Sequence, residues 1–178
     1  MSSSASSLKD NGTRLYRDGQ HQEALAKFEQ ARAEYAKDGD LGMAAEMLNN
    51  IGLVQRGLKN FDAAAMALNT ALDEFRALGD RSREGLTLGN LGALAESQGN
   101  PAAAEEHYQQ AVDLFRELGE KDNEAFVLKS MSALQLKQGR QLEAVATMDA
   151  ALANTNQPSL RQRALRQLLK WPMRLIGR

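Results

Sequence analysis

The sequence predicts an all-α fold: four helix–turn–helix units stacked as a solenoid, with a C-terminal helix closing the array. Three observations carry this. Ala, Leu, Glu, Gln, Lys and Arg are common in the 178 residues, β-branched residues are scarce, and three prolines leave long uninterrupted stretches. The sequence lies over itself when shifted by 40 residues. Glycines return at that same spacing, both at the ends of helix-favouring runs and inside them.

The repeat defines each element in turn. "EFRALGDRSREG" at 74–85 matches "LFRELGEKDNEA" at 114–125. Tyr35, Phe75 and Phe115 form one column, and Leu8, Leu48, Leu88 and Leu128 another. Two alanine columns, Ala24/Ala64/Ala104/Ala144 and Ala31/Ala71/Ala111/Ala151, flank a large apolar column of Phe28, Leu68, Tyr108 and Met148. The array spans 1–156, with units at about 5–38, 43–78, 83–118 and 123–155. First helices are expected over about 5–18, 43–57, 83–98 and 123–138; second helices over about 21–38, 61–78, 101–118 and 141–154. Asn60 and Asn100-Pro101 supply cap-like starts, with proline tolerated in the first turn. "DGD", "LGD" and "LGE" end the second helices, where glycine suits the left-handed closing residue.

"GLTLGNLGALAESQGN" at 85–100 places Gly85, Gly89 and Gly92 inside a helix. Each costs about 1 kcal/mol of propensity relative to alanine. Gly52 and Gly92 recur where the first helix is expected to cross the second against Ala64 and Ala104. Close approach of the two backbones would offset the lost propensity. Ser132 holds the same place in the fourth unit, again a small residue.

These columns resemble the tetratricopeptide repeat (TPR). Its pattern appears as Leu48-x2-Ile51-Gly52, Ala64-x3-Leu68 and Ala71, and again as Leu88-x2-Leu91-Gly92, Ala104-x3-Tyr108 and Ala111. The first unit has Gly12, Leu15, Ala24-x3-Phe28 and Ala31. The period is 40 residues rather than the common value of about 34, and the proline that usually ends the second helix is missing. The unit is similar to the long repeats of kinesin light chains, Pins-type adaptors and bacterial TPR proteins. The resemblance implies a right-handed superhelix whose first helices line a concave groove for a protein segment or peptide.

Five columns of the first helices are expected to face that groove: Asp10/Asn50/Asn90/Ser130, Lys9/Asn49/Gly89/Lys129, Thr13/Leu53/Ala93/Ala133, Tyr16/Arg56/Glu96/Leu136 and Ser6/Glu46/Leu86/Phe126. In the long-repeat relatives an asparagine at the Asn50/Asn90 position holds the peptide backbone, and the resemblance implies the same here. An amide offers two donors and an acceptor. Asn49 accompanies that pair. Lys9, Arg56 and Lys129 would select acidic groups, and Leu53, Leu86 and Phe126 would supply apolar contact. Gly89 would leave room for a ligand beside Asn90. The clamp that some TPR proteins use for C-terminal carboxylates matches only at Lys9 and Asn50. Thr13, Leu86 and Asn90 depart from it.

Residues 157–178 carry Arg161, Arg163, Arg166, Lys170, Arg174 and Arg178 and no acid, which leaves the body at a net charge of −7. Leu160, Ala164, Leu165, Leu168 and Leu169 form one apolar stripe, so this segment reads as a basic helix capping the array. Arg161, Arg166, Lys170, Trp171 and Arg174 are also the candidates for contact with an anionic membrane surface or a partner.

The remaining expectations are exclusions. Absence of cysteine rules out disulfides and thiol chemistry. "MSSSASSLKD" lacks the pattern of a secretory signal, so a cytoplasmic, at most membrane-peripheral, protein is expected. His21 and His107 stand in different units, and no metal-binding, phosphate-cradling or nucleophile motif appears. The sequence therefore predicts no enzyme, no cofactor, no metal and no nucleic-acid partner, and a monomer or weakly self-associating chain.

Overall fold

The computed structural model describes residues 3–154. They form eight α-helices: α1 (Ser3–Arg17), α2 (His21–Lys37), α3 (Leu41–Gly57), α4 (Phe61–Leu78), α5 (Arg81–Ser97), α6 (Pro101–Leu118), α7 (Lys121–Lys137) and α8 (Gln141–Asn154). Among the described residues there is no strand. Each helix packs on the next, and α5 also touches α3 and α7 across the units. This is a helical solenoid, with connectors of two or three residues. The expected capping helix at 157–178 lies outside the described residues.

All four first helices begin about two residues earlier than expected, those of units two to four at Leu41, Arg81 and Lys121. The cap residue follows the closing glycine directly. Asp40 accepts a hydrogen bond from the Met43 N–H, and Asp80 one from the Arg83 N–H, each at 3.0 Å. At the second-helix ends Gly79 and Gly119 have φ of 69° and 71°, the left-handed conformation that stops the helix. Asn100 caps α6 by accepting from the Ala103 N–H at 3.2 Å. Asn60 makes no such cap: its Nδ2 donates to Gln55 Oε1 at 2.9 Å instead.

Within each unit the turn uses a left-handed residue at a fixed register. Gly19, Gly99 and Gly139 supply it in three units, and Lys59, with φ of 63°, in the other. A side chain there costs about 1 kcal/mol. Lys59→Gly is expected to raise stability by about 0.5–1 kcal/mol, read as the shift of the urea midpoint at unchanged m-value. An unaltered or lower midpoint would show that the turn stores no strain.

The core explains the interior glycines. Phe28, Leu68 and Tyr108 are buried, and each lies against a glycine of the preceding helix. A Cβ added at Gly12 would fall 2.9 Å from the Phe28 ring, at Gly52 2.5 Å from Leu68 Cγ, and at Gly92 2.6 Å from two carbons of the Tyr108 ring. The glycines therefore seat large side chains. The contact is not chiefly with Ala64 and Ala104, as the alignment suggests, although the Ala64 carbonyl lies 3.4 Å from the same point at Gly52. Unit four solves the problem differently: Ser132 is buried, and its hydroxyl donates to the Ala144 carbonyl at 2.7 Å. Gly85 belongs to the same scheme, since an added Cβ would lie 2.7 Å from Phe115 Cζ.

Ion pairs repeat with the units as well. Arg76 binds Glu84 and Arg116 binds Glu124, both at 2.9 Å, linking the end of a second helix to the next first helix. The Arg140 fork grips both oxygens of Glu105, at 2.7 and 3.0 Å, and fastens unit four to unit three.

Candidate functional site

Burial along the first helices leaves one strip uncovered. On α5 it contains Leu86, Gly89, Asn90, Ala93 and Glu96; Leu88, Leu91 and Leu94 between them are buried. The spacing keeps one helical face turned outward. The equivalent strip of α3 contains Glu46, Asn49, Asn50, Leu53 and Arg56, and that of α7 Phe126, Lys129, Ser130, Ala133 and Leu136. Because α5 touches α3 and α7, the three strips join into one surface.

At its centre Asn90 Nδ2 donates to Asn49 Oδ1 at 2.9 Å, bridging α5 and α3. The bond leaves the Asn49 amino group and the Asn90 carbonyl oxygen oriented and available. Asn50, half-buried beside them, has no hydrogen bond from its side chain to another described residue. Gly89 differs from the packed glycines: an added Cβ would meet only Val127 Cγ2, at an ordinary 3.6 Å. Nothing in the fold requires a glycine there.

Charges at one end of the strip neutralise one another. Lys9 pairs with Glu46 at 3.5 Å, Glu46 with Arg83 at 3.4 Å, and Arg83 with Asp80 at 3.0 Å. Lys9 is thus already matched by an acid. At the other end Glu96 accepts from Lys137 Nζ and, at 3.2 Å, from the Tyr108 hydroxyl. Burial first, and then the neighbouring Glu96 charge, push the Tyr108 phenol above its ordinary range. Apolar side chains are prominent on the strip: Phe126 is 67% exposed, Leu136 53% and Leu86 42%, while Leu53 is half-buried.

The repeat period, the buried alanine columns and the helix pairs meet in one comparison. The profile of the tetratricopeptide repeat matches residues 43–117 and 83–157. The chain belongs to the tetratricopeptide repeat family. Solved structures share the fold of this TPR chain at low identity. BtubC (BKLC) from P. vanneervenii is 19% identical with a TM-score of 0.66, over 93% of this chain and 64% of that one. A Rap protein complexed with competence and sporulation factor is 20% identical with a TM-score of 0.76, over 84% and 43%. A kinesin light chain protein of nearly identical TPR-like repeats from Podosopora anserina is 17% identical with a TM-score of 0.68, over 86% and 76%. The TPR chain thus spans less than two thirds of the BtubC and Rap chains. Comparison with curated proteins gives no match.

Of the residues singled out in the sequence, the fold brings Asn49 and Asn90 into contact and sets Asn50, Leu53, Arg56, Leu86, Phe126 and Lys129 on the same uncovered strip. Arg161, Arg166, Lys170, Trp171 and Arg174 lie outside the described residues. His21, the first residue of α2, packs near the Tyr16 ring, and His107 lies on α6. No described helix is long and apolar enough to cross a membrane. Sequence reasoning missed the Glu96–Tyr108–Lys137 group. Its one signal was Tyr108 itself, the hydroxyl-bearing member of a column otherwise made of Phe28, Leu68 and Met148.

Proposed function

We propose that this TPR array is a non-catalytic cytoplasmic scaffold that holds a segment of a partner protein along the strip of its first helices. In this reading Asn50, Asn90 and Asn49 hydrogen-bond the segment's backbone. Leu53, Leu86 and Phe126 receive apolar side chains, and Arg56 and Lys129 face acidic ones, whereas Lys9 is held by Glu46. The observation that carries the reading is the oriented Asn49–Asn90 pair beside the open space at Gly89. Amides fixed in advance lose little freedom on binding. The family's repeat and the Rap protein seen complexed with a factor support it.

Selection from a displayed random-peptide library tests the proposal, with wild type beside Asn50→Ala/Asn90→Ala. Peptides held by wild type and lost by an equally helical double variant support the groove. Equal retention by both would assign the asparagines to structure alone.

Gly89 gives an independent check. Gly89→Ala should stabilise the chain by up to about 1 kcal/mol, because the methyl has room and the helix gains propensity. The same variant should bind selected peptides more weakly. A stabilised variant that binds as well as wild type removes Gly89 from the site.

The six basic residues of 157–178, unaccompanied by any acid, favour a second reading: an adaptor held at an anionic bilayer by this segment. Co-sedimentation with phosphatidylserine vesicles, with and without the segment, decides it. Sedimentation that does not depend on 157–178 discards it.

A further inference from the structure

A cleft of about 430 Å³ opens beside the strip at the carboxyl ends of the first helices, lined by Arg56, Ala93, Glu96, Pro101, Leu134 and Lys137 among others. Its charges decide what it can take. Glu96 is the acid of the cleft, and both of its oxygens already accept hydrogen bonds, one from Lys137 and one from the Tyr108 hydroxyl. Lys137 donates only one of its three N–H groups to Glu96 and is 69% exposed. Arg56 is half-buried, acts electrostatically on Tyr108 nearby, and forms no ion pair with a described residue. Two cations thus face one acid whose acceptors are engaged. A cationic ligand would have to displace Lys137. An anionic one would find unused guanidinium and ammonium donors, which form charge-assisted bonds to a carboxylate.

The geometry points to an anion-binding pocket in this cleft, in which Arg56 and Lys137 hold a carboxylate of the segment bound along the strip, and Glu96 competes with that carboxylate for Lys137. This rests on the proposed groove and specifies its ligand as an acidic peptide. It also reassigns selectivity: the acid-binding end lies at Arg56, because Lys9 at the opposite end is matched by Glu46.

The test uses the full chain and synthetic peptides chosen from a displayed random library. Each acidic peptide is paired with its Asp→Asn or Glu→Gln counterpart, and each is made with a free and an amidated C-terminus. The expected result is enrichment of an acidic group at one position. Arg56→Gln should then weaken the acidic peptide roughly tenfold, the loss of one charge-assisted hydrogen bond, and leave its amide counterpart unchanged. Glu96→Gln should strengthen the acidic peptide, since it frees Lys137 and removes the opposing charge. Loss of binding on C-terminal amidation alone identifies the carboxylate as terminal; loss on side-chain amidation identifies it as internal. Either supports the pocket. Enrichment without an acidic position, equal loss of both forms in Arg56→Gln, or weakening by Glu96→Gln overturns the pocket and leaves the groove standing. Failure to enrich any peptide overturns both.

Discussion

Phe115→Ala is expected to destabilise the chain by about 3–5 kcal/mol, the range for emptying an aromatic core site. Phe115 is fully buried in the largest cluster, with Leu88, Val112 and Leu128 among its members, and its ring closes on the bare Cα of Gly85. The neighbouring Arg116 ties α6 to α7 through Glu124 at 2.9 Å. Whole-domain stabilities are about 5–15 kcal/mol, so the loss is a large share of the total. Stability in a solenoid is local, carried by units and their interfaces. Urea unfolding followed by circular dichroism should therefore show an earlier transition and a broadened or split profile, as α5–α8 come apart before α1–α4. A shift worth less than about 1 kcal/mol would mean that the site repacks and that the ring is not the keystone of these units.

Gly92→Val is the second large effect, and it separates two kinds of glycine on one helix. At Gly92 an added Cβ sits 2.6 Å from the Tyr108 ring. The ring cannot swing aside freely, because it is buried and its hydroxyl is bonded to Glu96. Propensity alone predicts a gain from replacing glycine. Steric overpacking opposes it, and we expect a net loss of about 3 kcal/mol, the upper part of the usual range. Gly89, one turn away, has ordinary van der Waals room. A Gly92→Val chain as stable as wild type would sink the seating role assigned to the glycine columns. Tyr108→Leu, copying Leu68 of unit two, offers a companion measurement. Combined with Gly92→Ala it should recover little of the loss, because Leu68 itself would lie 2.5 Å from a Cβ added at Gly52.

Much of the fold was legible because a repeat states its own register. The columns at 40-residue spacing marked both helices of every unit, and the closing glycines marked their ends. The helix starts were less legible. Asp40 and Asp80 serve both as the residue after the closing glycine and as the next cap, an overlap with no separate signature in composition. Asn60 reads as a cap by residue type but turns to Gln55, since a side-chain amide takes whichever partner the turn presents.

The candidate site was legible only in part. The spacing of Asn50 and Asn90 names equivalent positions in adjacent units, but it cannot show that Asn90 reaches Asn49 rather than Asn50, a choice made by how α5 leans on α3. The group of Glu96, Tyr108, Lys137 and Arg56 draws its members from four helices in three units, so no local pattern announces it. Likewise, Lys9 and Arg56 are equivalent as cations in the sequence. Their difference lies in the neighbours that packing supplies: Glu46 for the one, an open cleft for the other.

By itself the sequence determined the helices, their pairing and the family, because hydrophobic period and repeat spacing are properties of the chain's own order. The tertiary structure alone decided which glycines are seats for side chains and which one leaves space, and which charges are already matched. The deciding contacts, such as Gly92 with Tyr108 and Asn49 with Asn90, join residues 16 to 41 positions apart, and the angles at which helices cross set such distances.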